Sequence, residues 1–244
     1  MPWEPVLIVA ALIVFVGYVI FGVTGFGASP ITIPVLAHFL PLTFVLALAS
    51  VLDLASALVL SFQTRRQADP RELLLLVPFT FLGLALGVTL LVKLPRSIAL
   101  LALGIFVCLH ALHIVLRRGS SRQLSRVWAA PAGVVGGVLG ALFGTGGPPY
   151  VAYLTGRLRD PGAQRATISQ MVILSVGLRV IIFAVAGLLF TRNLWTAVGL
   201  LLPVAWIGVW VGHRIQLRVA PAMLARVIAL ALFVTGASLI VRTL

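Results

Sequence analysis

The chain is 244 residues long, with 61% hydrophobic and 9% charged residues and a mean hydropathy of +1.18. This composition excludes a soluble globular domain and indicates a polytopic membrane protein surrounded by the lipid bilayer. The formal net charge of +13 would suggest nucleic acid as the partner of a soluble protein. Here most Lys and Arg residues fall in short loops, where they set topology, and no nucleic acid partner is expected. The single cysteine, Cys108, excludes an intrachain disulfide framework and a Cys-based zinc site.

Ten apolar segments follow one another along the chain, five in each half. They cover residues 5–21, 28–40, 42–62, 73–92 and 97–116, then 127–143, 148–155, 166–190, 194–212 and 221–241. A helix needs about 20 apolar residues to cross a bilayer, so segments 28–40 and 148–155 are too short to do so. Residues 1–4 carry no Lys or Arg, unlike a cleaved signal peptide, and we expect the first segment to be retained.

Each short segment follows a glycine-rich break, and the two breaks repeat one another. Residues 16–37 read VGYVIFGVTGFGASPITIPVLA and residues 135–156 read VGGVLGALFGTGGPPYVAYLTG. The identical positions at this offset are Val16/Val135, Gly17/Gly136, Val19/Val138, Gly25/Gly144, Gly27/Gly146 and Pro30/Pro149. Glycine permits close backbone approach, and proline is favoured at the start of a helix. Because broken backbone in a membrane persists only where it is buried or lines a cavity, both breaks are predicted to line a site.

The similarity between the halves continues beyond the breaks. Further matching positions are Ala47/Ala166, Ser50/Ser169, Ser56/Ser175, Pro78/Pro203, Gly83/Gly208, Gly87/Gly212 and Pro95/Pro221. The internal repeat is therefore roughly 115–120 residues long, which is typical of a transporter half rather than of a solenoid unit. We therefore predict one integral membrane domain, made of a first repeat (1–118), a basic cytoplasmic linker (119–126) and a second repeat (127–244).

The basic residues favour opposite orientations for the two repeats. If each short segment forms a hairpin with the segment before it, twelve arginines share one face: Arg65, Arg66, Arg71, Arg117, Arg118, Arg122, Arg126, Arg157, Arg159, Arg165, Arg214 and Arg218. The other face then holds four basic residues, Lys93, Arg96, Arg192 and Arg242. If each hairpin instead counts as one crossing, the halves are parallel, with nine basic residues on one face and seven on the other. This arrangement follows the positive-inside rule less well.

The predicted fold is therefore an all-α integral membrane protein with two inverted pseudo-symmetric repeats. Each repeat has a glycine-broken helical hairpin followed by three transmembrane helices. The N-terminus is expected outside the cell membrane, which is the periplasmic side in a bacterial inner membrane, and residues 117–126 are expected in the cytoplasm. The two tips would then approach the midplane from opposite faces, as in the substrate sites of many secondary transporters. Helix N-termini that point into one shared space suit an anion.

The segments FGVTGFGASPITIP and ALFGTGGPPYVAYL, the duplicated layout, the length and the basic mid-chain linker resemble the sulfite exporter TauE/SafE family. The resemblance covers essentially the whole chain. It implies a permease of the cell inner membrane for small sulfur-containing anions such as sulfite, sulfoacetate or other organosulfonates, without specifying which. Phe26, Ala28 and Ser29 stand where the family often has glycines, and Pro148 and Pro149 are a departure in the second copy. These changes would narrow or reshape the pocket.

The predicted substrate-binding residues lie in the breaks and on the segments that follow them. They are Thr24, Gly25, Phe26, Gly27, Ala28, Ser29, Pro30, Ser50, Gly144, Thr145, Gly146, Gly147, Pro148, Pro149, Tyr150, Ser169, Gln170 and Arg179. The hydroxyls in the breaks can either donate to an oxyanion or cap the short helices. The matching Ser50 and Ser169 can contact the substrate or, as small hydroxyls in spans often do, bond their own helix.

Two charged residues lie deep within apolar segments, where ionisable groups are costly and indicate function. Asp53 can relay a proton coupled to anion movement, or it can hold helices together as a fixed partner. Arg179 presents a planar fork of donors that matches carboxylate and sulfonate oxygens. Its alternative role is a salt bridge with Asp53, which the sequence leaves open.

Other site classes receive little support. His110 and His113 share a helix face, but two histidines without a nearby carboxylate make a poor metal site, and no metal or cofactor is expected. The chain has no Walker lysine, HExxH helix or GxSxG elbow, so it is not expected to be an enzyme. Trp3, Trp128 and Trp195 stand at segment ends and are predicted to be interface anchors.

The predicted function is secondary transport of a small anion by alternating access, with the anion bound between the two tips. A membrane potential negative inside favours anion export, so uniport suffices, and proton coupling through Asp53 is the variant mechanism. The alternatives are a passive anion channel, a carrier of a different carboxylate-type anion, and a membrane enzyme or thiol relay that uses Cys108. A homodimer is compatible with the sequence, which does not define the number of chains.

Overall fold

The computed structural model describes residues 3–24, 28–61, 67–116, 123–191, 193–215 and 221–243, with side chains described except at 3–7, 24, 60–61, 113–116 and 221–228. Over these residues the chain is helical and has no β-strand. The ten helices are α1 (Trp3–Thr24), α2 (Ser29–Leu36), α3 (Leu42–Ser61), α4 (Pro70–Lys93), α5 (Arg96–Leu116), α6 (Ala129–Phe143), α7 (Gly147–Arg157), α8 (Pro161–Val185), α9 (Leu194–Ile215) and α10 (Pro221–Thr243). Short 3₁₀ turns cover Arg126–Trp128 and Leu188–Phe190.

Five spans of the described residues are long and apolar enough to cross a membrane. They are Leu42–Val59, Pro70–Lys93, Arg126–Phe143, Pro161–Val185 and Leu194–Ile215. Helices α2 and α7 have eight and eleven residues, which at a rise of 1.5 Å per residue gives lengths of about 12 and 16 Å. The prediction of two apolar segments too short to cross is therefore confirmed.

Helices α4 and α8 begin earlier than the apolar pattern predicts. We expected starts near residues 73 and 166, but α4 begins at Pro70 and α8 at Pro161. In both cases an Asp caps the helix: Asp69 accepts from the N–H of Arg71 at 2.9 Å, and Asp160 accepts from the N–H of Ala163 at 2.7 Å. Each Asp-Pro pair supplies the cap and the favoured first residue, so the polar first turn is helical as well.

Two glycines bring α4 against α6. A Cβ added at Gly83 would overlap the carbonyl oxygen of Val134, and one at Gly87 would stand 2.9 Å from the carbonyl oxygen of Val138. The four-residue spacing places both glycines on one face of α4, where they let the two backbones approach closely. The first helix of the second half therefore packs against a helix of the first half.

The same contact occurs between α9 and α1. A Cβ added at Gly208 would stand 2.8 Å from the carbonyl oxygen of Phe15, and one at Gly212 would overlap the carbonyl oxygen of Val19. Gly208 and Gly212 are the repeat partners of the two glycines on α4, and Phe15 and Val19 precede their counterparts on α6 by the same 119 residues. The two halves thus exchange equivalent helix contacts.

Polar contacts define the two ends of the bundle. At the end where α4 begins, the N–H of Asp69 donates to Thr167 on α8 at 2.9 Å, and the N–H of Leu124 donates to the carbonyl of Gly156 on α7 at 2.8 Å. At the end where α5 begins, a cavity brings Arg96 together with Ala37, which follows α2, and with the end of α10. Helices α7 and α2 therefore end at opposite ends of the bundle.

The outward surface carries many large hydrophobic side chains. Large hydrophobic side chains that are at least half exposed occur on most helices, including Ile8, Leu12, Leu74, Val92, Leu109, Ile181, Val185, Trp210, Leu230 and Val241. In water such a continuous apolar surface would aggregate, whereas in a bilayer it contacts acyl chains. Trp128 and Trp195 are also more than half exposed, which is compatible with interface anchoring; the side chain of Trp3 lies outside the described residues.

Candidate functional site

Asp53 lies near the middle of α3 and is only 4% exposed. Its carboxylate accepts a hydrogen bond from the Tyr18 hydroxyl at 2.8 Å and another from the Ser29 hydroxyl. The same oxygen that binds Ser29 lies 3.2 Å from a guanidinium nitrogen of Arg179. Three donors therefore satisfy the buried charge, and one carboxylate joins α1, α2, α3 and α8.

Arg179 lies on α8 and is 2% exposed. Besides its ion pair, it donates to the carbonyl oxygen of Gly140 at 3.1 Å. That carbonyl belongs to the last turn of α6, where it also accepts from the N–H of Gly144. The guanidinium thus contacts the negative end of the α6 dipole at the second glycine break. Its Nε has no hydrogen-bond partner among the described residues.

Gly144 ends α6 and brings the second break into contact with α2. Its φ of +69° is in the left-handed region that glycine adopts without strain. A Cβ at this position would overlap the side chain of Ile33 and stand 3.0 Å from Cβ of Ser29. The second break therefore lies directly against α2, beside the hydroxyl that donates to Asp53.

Helix α7 reaches the same part of the bundle through Tyr150, which is fully buried. Its hydroxyl lies 3.2 Å from the hydroxyl of Ser175, one turn before Arg179 on α8. The tyrosine ring fits against Gly136, where a Cβ would overlap it. Both hairpins therefore place a hydroxyl beside the face of α3 or α8 that carries a charge.

The prolines and small residues of the breaks form the starts of the short helices. Pro30 lies in the first turn of α2, and Pro148 and Pro149 lie in the first turn of α7. Neither helix has a side-chain cap, since the cap positions are Ala28 and Gly146. Backbone N–H groups at these starts are thus not satisfied by a side-chain cap.

Several predicted site residues make other contacts. Ser50 donates to the carbonyl of Ala47 at 2.7 Å, and Thr145 donates to that of Phe143 at 3.1 Å. Ser169 and Gln170 precede Arg179 by about 15 and 13 Å along α8 at 1.5 Å per residue. Gly147 has no atom within 4 Å of an added Cβ. Gly25, Phe26 and Gly27 and the side chain of Thr24 lie outside the described residues.

Neither Tyr18 nor Ser56 was among the predicted site residues. Tyr18 is buried in an apolar helix. The feature that could have indicated it is its hydroxyl, because a buried tyrosine hydroxyl needs a hydrogen-bond partner. Ser56 lies three residues after Asp53 and matches Ser175 in the repeat, and its hydroxyl has no partner among the described residues. Residues at i and i+3 share a helix face, so the repeat match could have indicated a polar interface between α3 and α8.

A second buried carboxylate lies at the end of the bundle where α4 begins. Glu72, which the sequence placed simply at a segment end, is 2% exposed and lies 3.3 Å from Arg126 and 3.1 Å from Arg157. It also accepts from the Tyr153 hydroxyl at 2.5 Å. The cluster ties α4, α7 and the turn before α6 together, away from the breaks.

No group of three His, Cys, Asp or Glu residues within the described residues could hold a metal ion. His110 stacks on Phe106 with ring centroids 5.9 Å apart, while the side chain of His113 lies outside the described residues. Beside the breaks, the buried guanidinium of Arg179 is instead paired with the carboxylate of Asp53.

Comparisons with known proteins identify the family of the chain. The family model described as sulfite exporter TauE/SafE matches residues 9–239. The "Probable inner membrane transporter protein TsaS" of Comamonas testosteroni is 27% identical over 197 residues, covering 79% of this chain and 81% of the relative. No solved structure matches the chain. With almost all of its length matched by one family model, the chain belongs to the sulfite exporter TauE/SafE family of membrane transporters.

Proposed function

We propose that this chain is a secondary transporter of small sulfur-containing anions such as sulfite, sulfoacetate or other organosulfonates. The anion binds Arg179 between the two glycine breaks, and alternating access exposes it to one side of the membrane at a time. The observation that carries this proposal is the buried Arg179, which holds one carboxylate oxygen at 3.2 Å beside both breaks. Trigonal or tetrahedral oxyanions present similar oxygens to a guanidinium.

Asp53 competes with the transported anion for binding to Arg179. A buried guanidinium without a counter-ion is costly, so Arg179 needs a carboxylate whenever the transported anion is absent. When the anion binds Arg179, the displaced carboxylate lies beside the hydroxyls of Tyr18 and Ser29 and takes up a proton. Each transport cycle then couples one proton to one anion. Uniport, with Asp53 charged throughout, is the alternative that the experiment below distinguishes.

The inverted arrangement of two repeats is part of the proposal. It is supported by the exchanged glycine contacts of α4 with α6 and of α9 with α1, and by the opposite ends at which α2 and α7 finish. The proposed repeats are residues 1–118 and 127–244, joined by the basic linker 119–126. The positive-inside rule assigns the linker to the cytoplasm and the N-terminus to the periplasm of a bacterial inner membrane.

The test is uptake of radiolabelled sulfite and sulfoacetate into proteoliposomes under an imposed membrane potential. We expect saturable uptake that Arg179→Gln lowers at least tenfold. Arg214→Gln is the matched control, since Arg214 is exposed and lies over the Trp210 ring 4.7 Å from its centroid. Unchanged saturable uptake by Arg179→Gln would reject the central site, and linear uptake without exchange would identify a passive channel.

Two further conditions resolve the coupling and the substrate class. An imposed pH gradient should accelerate wild-type uptake but leave Asp53→Asn unaffected, whereas uniport predicts no response from either protein. A carrier of a carboxylate-type anion is the second candidate, because the structure shows Arg179 bound to a carboxylate. Transport of acetate or malonate, with no uptake of sulfite or sulfoacetate, would establish that alternative.

A further inference from the structure

We propose that the cavity between the ends of α2 and α10 and the start of α5 binds an oxyanion of the phosphate or sulfonate type. This second site goes beyond the proposed transport function and does not depend on it. The cavity has a volume of about 170 Å³ and is lined by Ala37, Arg96, Leu100, Leu239, Arg242 and Thr243. A water molecule in the liquid occupies about 30 Å³, so the space admits a small oxyanion together with some water.

Arg242 is held in place by the turn that follows α2. One guanidinium nitrogen donates to the carbonyl oxygen of His38 at 2.7 Å. The imidazole of His38 is itself fixed, because it bonds the carbonyl of Pro34 at 2.9 Å and the hydroxyl of Ser238 at 3.1 Å. A guanidinium has five N–H donors, so Arg242 keeps donors for a ligand after making this bond.

Arg96 faces the same cavity and is exposed. Among the described residues it makes no hydrogen bond or ion pair, so its whole guanidinium is free to bind. No acidic side chain in the described part of the chain lines the cavity. Asp69, Glu72 and Asp160 belong to the opposite end of the bundle, and Asp53 belongs to the central site. Arg96 and Arg242 share the cavity with no described carboxylate, so the two cations repel each other, and an oxyanion between them removes that repulsion and accepts from both.

The position of the cavity links it to the central site. Ala37 directly follows α2, and Ser29 at the other end of this eight-residue helix donates to Asp53. An oxyanion in the cavity therefore contacts the same short helix as the Asp53–Arg179 pair, about 12 Å away along the axis at 1.5 Å per residue. The anion can come from solution or can be the phosphate of a lipid headgroup, and the recognising chemistry is the same.

The first arm of the test measures binding of inorganic phosphate to delipidated protein in detergent, by calorimetry and by thermal stabilisation. It uses the double variant Asp53→Asn/Arg179→Gln as the background, so that the central site makes no contribution and no buried charge is left unpaired. We expect Arg96→Gln to weaken phosphate binding about tenfold, as loss of a charged hydrogen-bond donor predicts, and Arg96→Gln/Arg242→Gln to abolish it. Arg214→Gln, at the opposite end, should bind phosphate like its parent.

The second arm measures retention of phosphatidylglycerol relative to phosphatidylethanolamine by native mass spectrometry. Retention of phosphatidylglycerol that is lost in Arg96→Gln, without binding of free phosphate, assigns the site to a lipid headgroup and supports the proposal. If Arg96→Gln binds both phosphate and phosphatidylglycerol as tightly as its parent, the proposal is wrong. Since both arms are read without transport, their failure would leave the proposed function of Arg179 intact, and the reverse also holds.

Discussion

Arg179 on α8 and Asp53 on α3 are 126 residues apart in the chain, yet their charged atoms lie 3.2 Å from each other in the interior. Each residue belongs to a different half, and each also binds a glycine break: Asp53 through Ser29, and Arg179 through the carbonyl of Gly140. A single ion pair therefore connects both halves and both breaks. Any anion that takes the place of Asp53 changes all of these contacts at once.

Removing one partner of this pair should cost more stability than removing both. Asp53→Asn leaves the Arg179 charge buried without a counter-ion, which should lower the free energy of unfolding by about 3–5 kcal/mol. The double variant Asp53→Asn/Arg179→Gln keeps the shape and has no unpaired charge, so we expect it to recover most of that loss while remaining inactive. Thermal melting in detergent checks the order, and a double variant less stable than Asp53→Asn would contradict it.

Gly144→Ala should disrupt the contact between the second break and α2. The change forces a left-handed φ on an L side chain, at about 1–2 kcal/mol, and also drives its methyl group into Ile33. Gly187→Ala is the matched control, because Gly187 has φ +77° but no atom within 4 Å of an added Cβ. We expect a clearly larger drop in melting temperature for Gly144→Ala, partly restored by adding Ile33→Ala. Equal drops at the two glycines would mean that close packing at the break is unimportant.

Gly83→Ala and Gly208→Ala should destabilise the protein to a similar extent, because each methyl group meets a backbone carbonyl of the partner helix. Backbone cannot move aside as a flexible side chain can, so overpacking of about 1–3 kcal/mol is expected at each position. Gly199→Ala, in open space on α9, should be neutral or slightly stabilising, since alanine favours helix. The melting temperatures of the three variants test this prediction. An unchanged melting temperature for Gly83→Ala would argue against close contact between α4 and α6.

The Glu72 cluster should protect the basic linker from proteolysis. Glu72→Ala leaves the Tyr153 hydroxyl without its partner, at about 1–3 kcal/mol. It also frees Arg126, whose side chain is 57% exposed and contributes little by itself. We expect faster tryptic cleavage in residues 117–126, with Glu72→Gln intermediate because its amide oxygen still accepts from Tyr153. Identical cleavage rates in Glu72→Ala and wild type would show that the cluster does not hold the linker.

The parts of the fold that could be predicted were those that depend on residue type and segment length within a short stretch of the chain. Glycine and proline at 25–30 and 144–149 indicated the breaks, and segment length separated the short helices from the spans. Asp53 and Arg179 stood out because charges inside apolar segments are rare. Their pairing could not be derived, because it depends on how α3 and α8 pack across the whole chain. Tyr18 was missed for the same reason, since its buried hydroxyl is only informative once its neighbour is known.

The exchanged helix contacts have a consequence for synthesis of the protein. Helix α1 leaves the ribosome well before its principal partner, α9, from which seven helices separate it in the chain. Until α9 is made, the face of α1 that packs against Gly208 and Gly212 can contact only lipid or a chaperone. Neither half can therefore complete its own interior. The folding unit is consequently the entire chain, and separately expressed halves should become stable only when both are present in the same membrane.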